Sequence, residues 1–148
     1  MDGLATADGR EGAMNEKPRT RETKQRREVY ETIKGTHSHP TADWIFETVR
    51  KSVPKISLGT VYRNLSVLKE EGLVREIHGP DRRAHYDADL SPHAHFICES
   101  CGNISDVHSR LELDWRKIKE LVGCEVTGQR VEFIGVCAGC RHRTKDQH

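Results

Sequence analysis

The sequence has no apolar run near the roughly 18 residues that a membrane-crossing helix needs, so no membrane span is expected. Hydrophobic residues fill 34% of its 148 positions and aromatics only 5%, against 32% charged. That is little material for a self-sufficient core, so a bound metal and a partner subunit are expected to add stability. No hydrophobic signal segment stands at the start, and the composition suits a cytoplasmic protein. Cysteine is scarce as well, with five in all. A disulfide framework of the kind found in short secreted chains is therefore a poor fit.

Four of those cysteines form two Cys-x-x-Cys pairs, Cys98/Cys101 and Cys137/Cys140, separated by 35 residues. Four thiolates converging tetrahedrally satisfy zinc and leave no open position for a substrate, so the expectation is a closed structural site. Gly102, Gly135 and Gly139 stand beside the pairs and suit the tight turns required. A thioredoxin-like redox motif would need one pair to open a helix in a βαβ unit, and the pattern offers none.

Net charge is only +1, but it is unevenly placed. Residues 16–83 carry 15 Lys and Arg against 10 Asp and Glu, whereas residues 84–148 carry 8 against 10. A basic first half suits a polyanion. Residues 1–15 lack periodicity and read as a disordered or vector-derived tail.

The basic half predicts three helices. Val29 and Ile33 mark the first, from Thr23 to Lys34, which stops at Gly35. Ala42, Ile45 and Val49 mark the second, with Thr41 as its N-cap and Pro54 beyond its end. Leu58, Val61, Leu65 and Leu68 mark the third, which starts after Ser57 and closes at Gly72. Two β-prone runs, 73–77 and 84–87, flank the turn at Gly79-Pro80, so three helices and a hairpin make a winged helix-turn-helix. In that architecture the third helix enters the major groove. Tyr62 and Arg63, helped by Ser57, Thr60 and Asn64, are then the candidate DNA contacts, with Arg82 and Arg83 of the hairpin reaching phosphates or the minor groove. A solvated helix face is the alternative.

The second half reads as α+β. Residues 95–98 and 104–107 look like neighbouring strands joined by the first cysteine turn, and 126–136 looks like a longer one. Leu111, Trp115, Ile118 and Val122 mark a helix between them. A long strand left at an edge would call for pairing across a two-fold axis. His93 and His95, two apart, share one strand face. Asp87, Asp106 and His39 can join them in a nitrogen and oxygen site suited to Fe2+ or Mn2+, with zinc also open. The other histidines, His37, His78, His85, His108, His142 and His148, are assigned to the surface or to local hydrogen bonds.

Six motifs occur in order: Thr23-Lys-Gln-Arg26, His39-Pro-Thr-Ala-Asp43, Gly59-Thr-Val-Tyr-Arg-Asn-Leu65, Glu71-Gly-Leu-Val74, His95-Phe-Ile-Cys98-Glu-Ser-Cys101-Gly and Gly135-Val-Cys-Ala-Gly-Cys140. From about Thr20 to His142 the chain resembles the ferric uptake regulator family, and within it the peroxide-sensing branch. The resemblance implies an N-terminal winged helix-turn-helix domain (16–86), followed by a small α/β dimerisation domain (87–142) stapled by a four-cysteine zinc site, then a tail (143–148). It implies a homodimeric repressor rather than an enzyme, bound to a pseudo-palindromic double-stranded DNA operator. Structural Zn2+ would sit at the four cysteines, and His39, Asp87, His93, His95 and Asp106 would ligate regulatory Fe2+ or Mn2+. In that branch peroxide oxidises a ligand histidine, here His39 or His93. Sensing of iron, manganese or zinc without peroxide chemistry is the alternative within the family. A metalloenzyme or a zinc-stapled interaction module are the alternatives outside it. Cys124 stands where the family is usually apolar and is expected to be a buried thiol. Gln129 replaces a frequent histidine, which argues against a further metal site near the last strand.

Overall fold

The computed structural model describes residues 23–109 and 114–145. The expected tail at 1–15, Leu111 and His148 lie outside the described residues. The first helices are α1 (Lys24–Lys34), α2 (Ala42–Val49) and α3 (Leu58–Glu70). Each starts at a hydroxyl that accepts from a first-turn N–H lacking a helical partner: Thr23 from Arg26, Thr41 from Trp44, Ser57 from Thr60. Beyond α3, Gly72 adopts φ +69, and Leu73 N donates to the Leu68 carbonyl at 2.9 Å. This left-handed turn is one that a Cβ would oppose.

The apolar faces predicted for these helices meet in one core. Val29, Ile45, Val61 and Leu65 are each at most 1% exposed. An antiparallel hairpin of β1 (Arg75–His78) and β2 (Ala84–Asp87) follows, and Val74 and Tyr86 close the core beneath it. This is the expected winged helix-turn-helix, and Asp87 ends its second strand.

In the second half, β3 (Ala94–Cys98) lies between β4 (Ile104–Val107), antiparallel to it, and β5 (Glu132–Gly135), parallel to it. The parallel pairing requires a crossover, which contains α4 (Trp115–Val122). The strand expected over 126–136 is shorter than its composition suggests. Its ladder follows only His95 to Cys98 of β3, with one further bond from His95 N to the Val131 carbonyl at 3.1 Å, and residues 124–130 are not in a strand. A helix not expected from periodicity, α5 (Ala138–Lys145), grows out of the second cysteine turn and passes the domain end expected at 142. Cys124 is exposed, contrary to expectation, because α4 is not packed over it.

A small cluster of Ile77 from β1, Ile97 from β3 and Ile104 from β4 joins the two halves. Shortening Leu65, in the other cluster, tests the division of the core. Leu65→Ala is expected to destabilise the winged helix by about 2–5 kcal/mol in denaturant titrations. The same truncation at exposed Tyr62 should change stability by less than about 0.5 kcal/mol.

Candidate metal centres

Cys98 ends β3, and Cys101 follows after a turn closed by Gly102 N donating to the Cys98 carbonyl at 2.9 Å, with φ +73 at Gly102. Cys137 and Cys140 form the turn that opens α5, so the parallel register of β5 on β3 carries both pairs to one end of the sheet. All four cysteines are free of disulfides, and their sulfurs lie within 4.8 Å of one another. Sulfurs bound about 2.3 Å from one tetrahedral ion stand about 3.8 Å apart. Cys101 Sγ and Cys137 Sγ are 3.8 Å apart. The Cys98 thiol is held down to about 6, first by the Cys137 backbone N–H at 3.3 Å and then by that of Cys101. It is thus poised as the thiolate that a metal needs. The set fits zinc.

The second centre lies at the seam between the halves. The β3–β4 register sets His95 opposite Asp106, and two-residue periodicity turns His93 toward the same face. Asp87 arrives from the end of β2 and His39 from the loop between α1 and α2. All five sequence-predicted ligands are therefore brought together, with ligand atoms within 4.8 Å of one another. Their side chains are nearly sealed, from 0% exposed at His93 to 11% at Asp106.

Donor number and spacing both bear on the geometry an ion would adopt. Asp106 Oδ1 is 2.8 Å from His39 Nε2 and 3.0 Å from His93 Nε2, which is itself 3.0 Å from His95 Nε2. Asp87 Oδ2 is 3.2 Å from His95 Nε2 and 3.3 Å from His93 Nε2. Nitrogen and oxygen ligands about 2.1 Å from an ion stand about 3.0 Å apart at right angles and about 3.4 Å apart in a tetrahedron. With His95 Nε2 3.5 Å from Asp106 Oδ1, the separations run from 2.8 to 3.5 Å and span both arrangements; it is the number of donors, five, that exceeds a tetrahedron. Although His39 Nε2 and Asp106 Oδ1 are so close, neither makes a hydrogen bond. Buried polar atoms left in that state call for an ion or water.

The surroundings fix the imidazoles. A carbonyl can only accept, so His39 Nδ1–H donates to Ile104 O at 3.2 Å and His93 Nδ1–H to Ser91 O at 2.9 Å. Both Nε2 atoms keep their lone pairs for a metal. Burial pushes the His95 imidazole below its usual pKa, against the pull of Asp87, which favours the neutral ring that ligates.

Two supporting residues appear here: His85, expected at the surface or in a local hydrogen bond and found instead in a long-range one, and Arg75, for which the sequence suggested no role. His85 Nδ1–H donates at 2.7 Å to the carbonyl of His39, whose φ of +52 is uncommon for a residue with a side chain. Arg75 lies 3.6 Å from Asp87 Oδ2 and donates to the carbonyls of Asp89 and Ser91. No local periodicity marks either role, because both depend on chain segments meeting in space.

On α3, Tyr62 is 48% exposed and Arg63 is exposed, with Arg63 Nη2 donating to Thr60 Oγ1 at 3.1 Å. Ser57 is committed to its cap. Arg82 and Arg83 lie exposed at the hairpin turn. Asn64 departs from expectation. It is only 6% exposed because it faces the core side of α3, and it is withdrawn from the candidate DNA contacts.

The two centres share β3 but no ligand, so they should separate by mutation. Asp106→Ala is expected to lower Mn2+ affinity at least tenfold by equilibrium titration, leaving one zinc per chain by elemental analysis. Cys137→Ser is expected to lose that zinc. Loss of zinc in Asp106→Ala would show that the centres are not independent.

The model of the ferric uptake regulator family matches residues 17–134. A peroxide-responsive repressor of Staphylococcus epidermidis is 37% identical over 120 residues, 80% of each chain. Among solved structures, a Campylobacter jejuni peroxide stress regulator superposes with a TM-score of 0.70 at 33% identity, covering 78% of this chain and 88% of that one. A zinc-bound manganese uptake regulator superposes with a TM-score of 0.61 at 26% identity, over 80% and 91%. With a family match over most of its length and both centres assembled at the positions read from its motifs, the chain belongs to the ferric uptake regulator family of metal-responsive transcriptional regulators.

Proposed function

We propose that the chain is a homodimeric DNA-binding repressor released from its operator by peroxide, through iron-dependent oxidation of His39 or His93. The observation that carries this reading is the seam centre, where three imidazoles and two carboxylates bring their ligand atoms within 4.8 Å of one another. Five protein ligands leave a sixth position for peroxide. Ferrous iron held by His39, Asp87, His93, His95 and Asp106 would supply the redox chemistry for cleaving an O–O bond. The net change at the protein is one oxygen atom on Cε1 of His39 or His93, the other peroxide oxygen leaving as water. In the 2-oxo ring both nitrogens carry hydrogen, so the Nε2 lone pair that ligated is lost. The protein is consumed in this reaction, as befits a sensor and not an enzyme. Mn2+ does not readily do this chemistry, so the manganese form should repress without responding to peroxide.

The division into a winged-helix domain (16–86) and a dimerisation domain (87–142) gives the ligands their leverage. His39 and Asp87 come from the DNA-binding side or its border, and His93, His95 and Asp106 from the other. A coupling of about 1–3 kcal/mol changes DNA affinity roughly 5- to 150-fold. Dimerisation is supported by large apolar side chains left exposed in the second half, Leu121 and Val122 on α4 and Ile134 on β5. An eight-residue helix such as α4 is marginal without packing. Two-fold symmetry then calls for a pseudo-palindromic operator. In the described residues no helix is long and apolar enough to cross a membrane, and a cytoplasmic location suits this role. A reversible metal sensor is the second reading, favoured by the near-complete shielding of the ligands from solvent.

Mass spectrometry of the iron- and manganese-loaded protein after stoichiometric peroxide separates the two. One oxygen on His39 or His93 in the iron form alone, with loss of DNA binding, is expected; unmodified histidines with reversible binding would establish the metal sensor. DNA selected from a random pool by the Mn2+-loaded dimer provides the probe for α3. Arg63→Ala is expected to weaken that binding by about 1–3 kcal/mol without altering Mn2+ affinity.

A further inference from the structure

We propose that Asp89 and His108 form an outer capture station for a divalent cation, through which the ion passes between solvent and the seam centre. The proposal rests on the reading of that centre as a metal site and concerns how a sealed site is filled. None of the five inner side chains is more than 11% exposed, yet an aquated ion must reach them. Two surface clefts reach ligands of the centre. One, of about 370 Å³, includes Arg75 and His93; the other, of about 600 Å³, includes Ser38 and Asp106. His108 lines both.

The His108 side chain is 62% exposed, its ring centroid 5.1 Å from that of His93 and its Nε2 3.9 Å from Asp106 Oδ2. Asp89, 38% exposed, sets Oδ2 3.9 Å from His93 Nδ1. Ligand atoms of Asp89, His93 and His108 lie within 4.8 Å of one another. The station is held in place. Asp89 Oδ1 accepts from Ser91 N and Ser91 Oγ, Asp89 N donates to Asp87 Oδ1 at 2.8 Å, and Arg75 clamps the Asp89 and Ser91 carbonyls.

The chemistry suits transit. One free imidazole and one free carboxylate are too few to strip a first-row divalent ion of its water, so binding is weak and release fast. His93 Nδ1 is already committed to Ser91 O, which leaves Asp106 as the hand-over ligand. Its Oδ2 lies toward His108 while its Oδ1 lies among His39, His93 and His95, so a slide from one oxygen to the other carries the ion inward.

A group that serves only the path changes entry and exit alike and leaves the equilibrium untouched. The test uses the full-length protein with zinc retained and the seam centre emptied. Mn2+ uptake is followed by stopped flow with a fluorescent indicator of free ion, and release by mixing with excess EDTA. His108→Leu and Asp89→Asn are expected to slow both steps by a similar factor, about tenfold. Their Mn2+ dissociation constants, zinc content and helical circular dichroism should remain those of the wild type. Faster uptake in His108→Ala would make His108 a lid and overturn the proposal. So would unchanged rates in all three variants, or a weaker dissociation constant with normal uptake, which would place His108 in the final ligand set. Failure of wild-type protein to take up Mn2+ would instead remove the seam centre itself, and it is seen before any variant is compared.

Discussion

Asp87 and Asp106 bring two carboxylates within 4.8 Å of each other in a space largely closed to water. At an effective dielectric of about 20, two full negative charges at that distance repel by at least about 3 kcal/mol. Imidazole neighbours offset part of this, and burial keeps at least His95 from protonating readily. A divalent cation removes the repulsion and turns both carboxylates into ligands. The apolar seam of Ile77, Ile97 and Ile104 is small by comparison, with each side chain contributing about 1.5–3 kcal/mol. The polar centre therefore weighs at least as much as the apolar seam in holding the two halves together.

That centre is only as well placed as β3, which carries His95 and directs His93. Cys98 closes the strand, and the four-cysteine site ties its end to β5 and α5. Structural zinc contributes about 10–16 kcal/mol to folding in zinc-finger peptides, comparable to the whole stability of an ordinary domain. A three-stranded sheet with exposed apolar residues on β5 has little else to hold its register. One metal thus fixes the platform on which the other is read. On the opposite side, the His85 contact to the His39 carbonyl links β2 of the hairpin to a ligand. The hairpin that presents Arg82 and Arg83 is continuous with the strand that delivers Asp87.

Periodicity and capping were enough for the first half. Thr23, Thr41 and Ser57 start their helices because hydroxyl caps act locally, and Gly72 ends the third because its backbone conformation is set within two residues. The second half was less legible. Val126 to Val136 has strand composition, but a strand exists only where a neighbour pairs with it, and β3 offers four partners. Asn64 read as a surface polar residue because its burial depends on the helices around α3. Cys124 read as buried because it stands where the family is usually apolar, whereas the packing leaves it exposed.

The ligand types, the cysteine spacing, the strand periodicity that pairs His93 with His95, and the helix caps are all legible in the chain. Each depends on chemistry or geometry within a few residues. Only the tertiary structure decided that His39, 48 positions before Asp87, shares a centre with it. It also decided that His85 and Arg75 brace that centre, and that Asp89 and His108 lie beside His93. Those are meetings of segments whose distance in space is set by packing, which no local pattern encodes.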